Sequence, residues 1–351
     1  MKILRLALAA SALSLLAPAM PDAGTPKNAL GAIAVAPNGQ WVLAAGDNLT
    51  LYVIDAATLA VQSRHWIGVN PDQLAFSADG STLAVIDIDV GITFLDATTF
   101  QPRSNVGGFR TAAVLAGADQ IVAMTNPSRK DGKTTTDIVV YAIADGREVM
   151  RVTADAEGTA VGGSPDGSIL ALLTRATDTT AETRTQPPED KKGLDRDIFE
   201  QQNDGKASEM LVFDAKGQMT ARHPLWFSTT ANPAMAILNG QIHVLPFDNE
   251  NLRVDAVSGN AELYKFGSSL TYGLGLSADH GTLVTGSLAD GVFGTTGGTP
   301  AEFEVDGVGS WPEYFKGFAF APDGTMYGGT TAYRLVRIGP DGTVAAAAPI
   351  F

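Results

Sequence analysis

Short runs of alternating apolar and polar residues recur along the chain, each closed by a tight polar turn and followed at once by another such run. Alternation with a period of two is the pattern of a half-buried strand, and a short turn between two such runs joins them as a hairpin. The first unit reads strand by strand as Gly31 to Val35, Trp41 to Ala45, Leu51 to Ala56 and Ala60 to Trp66. Its first turn is Ala36 to Gly39. Like turns stand at Ser77 to Gly80, Ser164 to Gly167, Leu238 to Gly240, Ser277 to Gly281 and Ala321 to Gly324, with a degenerate copy at Ala116 to Asp119. Most neighbouring turns lie about forty residues apart, the length of a four-stranded unit. The third strand recurs from Leu51, Ile92, Ile138, Met210 and Leu252.

A single unit of this kind cannot bury both of its faces, so successive units must stack on one another. The predicted fold is an all-β, seven-bladed β-propeller of four-stranded antiparallel blades, with a long insertion in the fourth. One domain is expected over residues 20–351, with blades at 30–68, 71–106, 109–152, 157–223, 231–266, 271–305 and 314–350 and the insertion at 175–208. The last unit is complete by itself, with strands at Thr325 to Gly329, Tyr333 to Ile338 and Thr343 to Ile350, so closing the ring needs no exchanged strand. Residues 24–30 remain available for an outer edge.

The phrases SPDG from Ser164, SADGSTLAV from Ser77, VIDAATL from Val53 and FLDATTF from Phe94 resemble the YVTN-type, WD40-like propeller repeats of bacterial exported proteins. The likeness covers nearly the whole chain after the first thirty residues, with LAVID from Leu83 standing where the YVTN tetrapeptide falls. It implies the propeller fold. It leaves function open, because that superfamily includes lactonases, amine dehydrogenase propeller subunits, surface-layer repeats and TolB-like scaffolds.

Lys2 and Arg5 precede an apolar or small run from Leu6 to Leu16, followed by Ala17, Pro18 and Ala19. This is the layout of an export signal cleaved after Ala19, and it predicts a periplasmic or secreted protein. No other stretch approaches the roughly 18 to 20 apolar residues of a membrane helix, so no membrane insertion is expected. The chain has no Cys, which excludes disulfides and a lipidated cysteine. Its net charge of −14 argues against nucleic acid and anionic lipid as partners.

Two insertions interrupt the repeat, both between a second and a third strand. Asn126 to Thr136 is expected to be a loop carrying Arg129, Lys130 and Lys133, and Arg175 to Ser208 is a far longer one. In a propeller these connections share one face with the links between blades, so both insertions project from one side. Gly193 to Gln202 suits a short helix with Leu194, Ile198 and Phe199 along one flank. Two readings stand: the insertion folds back on its own propeller or is unstructured, or it docks a second protein. The links between blades are aromatic, with Trp66, Trp226, Phe227, Trp311, Tyr314 and Phe315. Either these rings wedge between blades or they line the mouth of the central channel as binding anchors.

The search for chemistry returns little. His65, His223, His243 and His280 form no metal-binding spacing, and His243 reads as a strand residue. Asp87 with Asp89, and Asp248 with Glu250 and Asp255, read as solvated carboxylates because neither set has calcium-loop spacing. The Asp of each SPDG-like turn reads as a turn cap. No catalytic residue, metal or cofactor is expected. The leading expectation is a non-catalytic exported scaffold that binds another, unidentified protein through the insertion face, using Trp66, Arg129, Lys130, Leu194, Ile198, Phe199, Trp226, Phe227, Trp311 and Tyr314. The alternatives are a propeller subunit of a periplasmic quinoprotein amine dehydrogenase-like complex and a lactonase-like hydrolase acting at the channel mouth.

Overall fold

Second strands such as Thr82–Asp87 and Trp41–Ala45 are apolar on both faces, and nearly every residue in them is buried. A strand like that belongs in the middle of a sheet covered on both sides. Fourth strands such as Val61–Trp66 and Val344–Pro349 alternate half-buried and exposed residues, as an edge strand facing water on one side does. The computed structural model describes residues 30–178, 206–225, 233–245, 251–264, 273–277, 282–286, 290–295, 301–304 and 313–350. The expected export signal and most of the long insertion lie outside them.

The described residues are all-β and form seven antiparallel sheets, five of four strands consecutive in the chain and two of five, in which a short extra strand, Ser128–Lys130 or Thr177–Asp178, falls between the second and third. Sheet 1 comprises Ala32–Val35, Trp41–Ala45, Thr50–Asp55 and Val61–Trp66. Sheet 2 runs from Gln73 to Val106, sheet 3 from Phe109 to Ala154, and sheet 4 from Gly158 to Leu225. Sheet 5 spans Ala234 to Tyr264, sheet 6 Gly273 to Glu304, and sheet 7 Phe315 to Pro349. No helix among the described residues is long and apolar enough to cross a membrane.

The period of two sends alternate residues of one strand into two different cores. In sheet 1, Leu43 and Leu51 pack with Leu74, Leu83 and Val85 of sheet 2, whereas Val42 and Ile54 pack with Tyr327 and Leu335 of sheet 7. The scheme repeats along the chain. Ile86 and Phe94 meet Ile121 and Val139 between sheets 2 and 3. Val122 and Ile138 meet Leu172 and Leu211 between sheets 3 and 4. Leu173 and Val212 meet Ile242 and Val254 between sheets 4 and 5. Leu238 meets Leu283 between sheets 5 and 6, and Val284 meets Phe315 and Val336 between sheets 6 and 7. Each fully buried Leu, Ile or Phe contributes about 1.5–3 kcal/mol, so these seven cores carry the stability of a chain without disulfides.

First strands face one another across several of these boundaries, between sheets 1 and 2, 1 and 7, 3 and 4, 4 and 5, and 6 and 7. Their closeness depends on missing side chains, since a Cβ added at Gly317 would strike the carbonyl of Gly31. Sheets 1 and 7 are also hydrogen-bonded, Leu30 N–H donating to the Thr330 carbonyl and Tyr327 Oη to the Ala56 carbonyl at 3.0 Å.

The turns hold their shape through side-chain caps. Asp79 Oδ1 accepts the hydroxyls of Ser77 and Ser81 and the Ser81 N–H, and Asp166 does the same for Ser164 and Ser168. In the turns between third and fourth strands, Asp55, Asp96 and Asp255 each accept the N–H groups of the second and third residues after them. These are Asx turns, and their recurrence in successive sheets marks a structural part.

One expectation needs correction. Asn126 to Thr136 is not an open loop: Ser128–Lys130 pairs with the start of Lys133–Ala142 as a two-stranded ribbon beyond sheet 3. The residues between, Asp131 and Gly132, have φ of 51° and 77°, which suits the tight hairpin turn that matches strand twist. The long insertion starts in the same way, Thr177 and Asp178 pairing with Ala207 and Lys206 beyond sheet 4.

Candidate interaction face

Both ribbons leave at the end of the sheets where second strands give way to third strands and where the chain passes between sheets. Glu157, in the link between sheets 3 and 4, stands at their common root. Its side chain is 13% exposed and is reached by three guanidinium groups. Arg129 of the first ribbon lies 2.9 Å away, Arg175 at the base of the second 3.1 Å, and Arg110 of the first strand of sheet 3 3.9 Å. The link is also backbone-anchored, since Arg175 N–H donates to the Glu157 carbonyl at 2.7 Å. One carboxylate thus answers three arginines in an otherwise acidic chain.

Beside this node, a cleft of about 360 Å³ lies between sheets 2 and 3, lined by Ile88, Asp89, Gly108, Phe109, Arg110 and Asn126. Its sheet 2 wall is tied down. Ile88 N–H donates to Asp72 Oδ2, Asp89 N–H to Asp87 Oδ1, and Val90 N–H to the Asp87 carbonyl, all within 3.1 Å. Asp87 is buried and also accepts the Asn70 N–H. It is therefore not a solvated carboxylate: it satisfies backbone donors that the loop cannot pair otherwise. Among the described residues no group of three or more His, Asp or Glu side chains is placed to hold a metal ion.

Three apolar side chains on this face stand in solvent: Trp66 at 72%, Val90 at 51% and Ile88 at 36% exposure. Trp66 does not wedge between sheets. Its neighbour in the aromatic set, Phe315, does the opposite and stacks under Phe318 with ring centroids 5.1 Å apart. Tyr314 is half-buried, its N–H held by Thr331 Oγ1 at 2.9 Å. Arg129 is brought to Glu157, and Lys130 is exposed at the ribbon tip opposite Lys133. Leu194, Ile198, Phe199, Trp226, Phe227 and Trp311 lie outside the described residues, as do Asp248, Glu250 and His280.

Arg110, Glu157 and Arg175 were not among the expected site residues. Arg110 had a signal, because a charge in the apolar run FRTAAVL is out of place in a strand that otherwise packs on its neighbours. Lys316 in FKGFAF is a second such cation, and burial lowers its pKa. The remaining polar side chains of the seven first strands are Gln73, Thr111 and Thr159.

The histidines keep structural company. His65 packs on Phe100 at 4.4 Å, and His223 reaches the Ala256 carbonyl at 3.1 Å. His243 is buried against Tyr264, its Nδ1 2.7 Å from the phenol oxygen. Burial, with the Arg253 charge opposite, pushes its pKa down to about 4. Compared with known proteins, the chain matches no family description and no curated protein.

Proposed function

We propose that the chain is an exported seven-bladed β-propeller that acts as a non-catalytic scaffold, holding a protein partner on the face from which the two ribbons project. The propeller reading is supported by the run of seven cores, each between sheets consecutive in the chain, with the last between sheets 7 and 1. Export is supported by Lys2, Arg5 and the apolar run before Ala19.

The observation that carries the partner reading is the Glu157 node. Two ribbons from adjacent sheets meet through Arg129 and Arg175 at one carboxylate, which brings their bases side by side. Exposed Trp66, Ile88 and Val90 add apolar anchors to the same side. Aromatic and arginine side chains on a rigid frame are the usual makings of a binding hot spot.

The test is companion recovery. The tagged chain and a variant with Ser128 to Thr135 shortened to a direct turn are isolated from their own exporting cell. Loss of a specific companion from a variant that still unfolds cooperatively supports the reading, whereas equal recovery by both chains rejects it.

A further inference from the structure

The cleft between sheets 2 and 3 holds an unusual set of unused groups. Arg110 spends only Nη1 on the protein, donating to the Gly158 carbonyl at 3.3 Å and lying 3.9 Å from Glu157, so its Nε and Nη2 are unclaimed among the described residues. The Asp89 carboxylate has neither a hydrogen bond nor an ion pair there, although its own N–H is fixed by Asp87. The Asn126 side-chain amide is likewise unclaimed, its backbone N–H alone being bonded, to the Gly108 carbonyl at 3.4 Å. Arg110 and Asp89 share the cleft and yet do not pair with one another. Ile88, Phe109 and Gly108 complete the lining, and a Cβ added at Gly108 would meet nothing within 4 Å.

A cation with free donors and a free carboxylate in the lining of one small, mainly polar cleft are complementary to a molecule carrying both charges. We infer that this cleft binds a zwitterion, either a free amino acid or a whole dipeptide. Its carboxylate sits on Arg110 with help from Asn126, its ammonium on Asp89, and its side chain against Ile88 and Phe109. The volume is at the lower end of small-ligand pockets, which fits one or two residues. Arg is suited to the anion because its planar fork offers two parallel donors, and the tied loop from Asp87 to Val90 presents Asp89 without an ordering cost at binding. A simple anion is disfavoured by Asp89, and a simple cation by Arg110 and the arginines behind it.

The experiment is a titration of the full chain, labelled for amide NMR, with the dipeptide alanyl-leucine, its N-acetylated form, its C-terminal amide, and free leucine. Saturable shifts of the Asp89, Gly108 and Asn126 amides are expected with alanyl-leucine, and each capped form should bind at least about tenfold more weakly. Free leucine binding as well as the dipeptide identifies the amino acid as the ligand, and weaker binding identifies the dipeptide. Asp89→Asn, on an exposed loop, should cost the uncapped dipeptide about tenfold and leave the acetylated form unchanged. Arg110→Gln should do the same with respect to the carboxylate. Absence of saturable shifts in the unmodified chain at millimolar dipeptide, or affinities indifferent to both caps or to Asp89→Asn, would overturn the inference. Companion recovery by the ribbon is a separate readout and stands or falls independently.

Discussion

The backbone N–H of Leu30 donates to the carbonyl of Thr330 across 3.2 Å, joining the start of the first sheet to the last. Tyr327 reinforces this boundary by donating its hydroxyl to the Ala56 carbonyl from a side chain that is 4% exposed. Tyr327→Phe removes that donor without opening a cavity. The expected loss is about 1 kcal/mol, because Arg337 also reaches the Ala56 carbonyl and keeps it partly satisfied. Urea unfolding measures it, with the exposed Trp66→Phe as a control that should change stability by less than about 0.5 kcal/mol.

Gly259 and Gly240 have the same left-handed backbone, with φ of 73° and 76°. They differ in surroundings: a Cβ at Gly259 would run into the His223 ring of the preceding sheet, while one at Gly240 meets nothing within 4 Å. Gly240→Ala should therefore cost about 1 kcal/mol, the backbone penalty alone. Gly259→Ala should cost about 1–3 kcal/mol more through overpacking. Equal losses in the two variants, read from denaturation midpoints, would show that sheets 4 and 5 do not approach as described.

Much of this architecture was legible before any coordinates. The strands of the first unit fall within one residue of their expected places, because period-two alternation and Asx-type turn residues act locally and recur in register. The ribbon at Ser128–Lys130 reads as a loop in the sequence because its rails, among them the half-buried Thr134 and Thr135, carry no apolar alternation. Asp131 followed by Gly132 was the available signal. The Glu157 node was not legible, as Arg110, Arg129 and Arg175 come from three separate segments and meet only once sheets 3 and 4 pack. Trp66 was ambiguous for a different reason, since a large ring at a strand end suits a core wedge and a surface anchor equally.

Glu157→Gln leaves three guanidinium groups around a neutral side chain. A loss of about 2 kcal/mol in stability is expected, since the carboxylate is largely shielded from solvent and takes its hydrogen bonds from charged donors. Arg129→Ala should cost no more than about 0.5 kcal/mol, because that side chain is 71% exposed. Both values come from chemical denaturation near neutral pH.

Stability should also fall on mild acidification through His243. Its pKa is about 4 in the folded chain against an ordinary 6.5, so between these values the unfolded chain binds more protons. The contribution is complete above pH 6.5 and is lost as pH drops toward 4, an effect of up to about 3 kcal/mol. Capped carboxylates act in a lower window: Asp79, held to about 2 by the Ser77 hydroxyl and the Ser81 N–H, loses its contribution only as pH falls below 3.8. Urea midpoints at pH 7.5 and 5 should diverge in the native chain and converge in His243→Gln, and an unchanged divergence in the variant would assign the effect elsewhere.

A partner held on the ribbon face should be captured by site-specific photocrosslinking in the exporting cell. A photoreactive side chain is placed at Lys130 on the ribbon tip, at Trp66 on the same face, and at Val257, which is 85% exposed in a turn at the other end of its sheet. A discrete adduct of one size is expected from positions 130 and 66 and none from 257. Adducts from 257 alone, or the same diffuse adducts from all three, would contradict it.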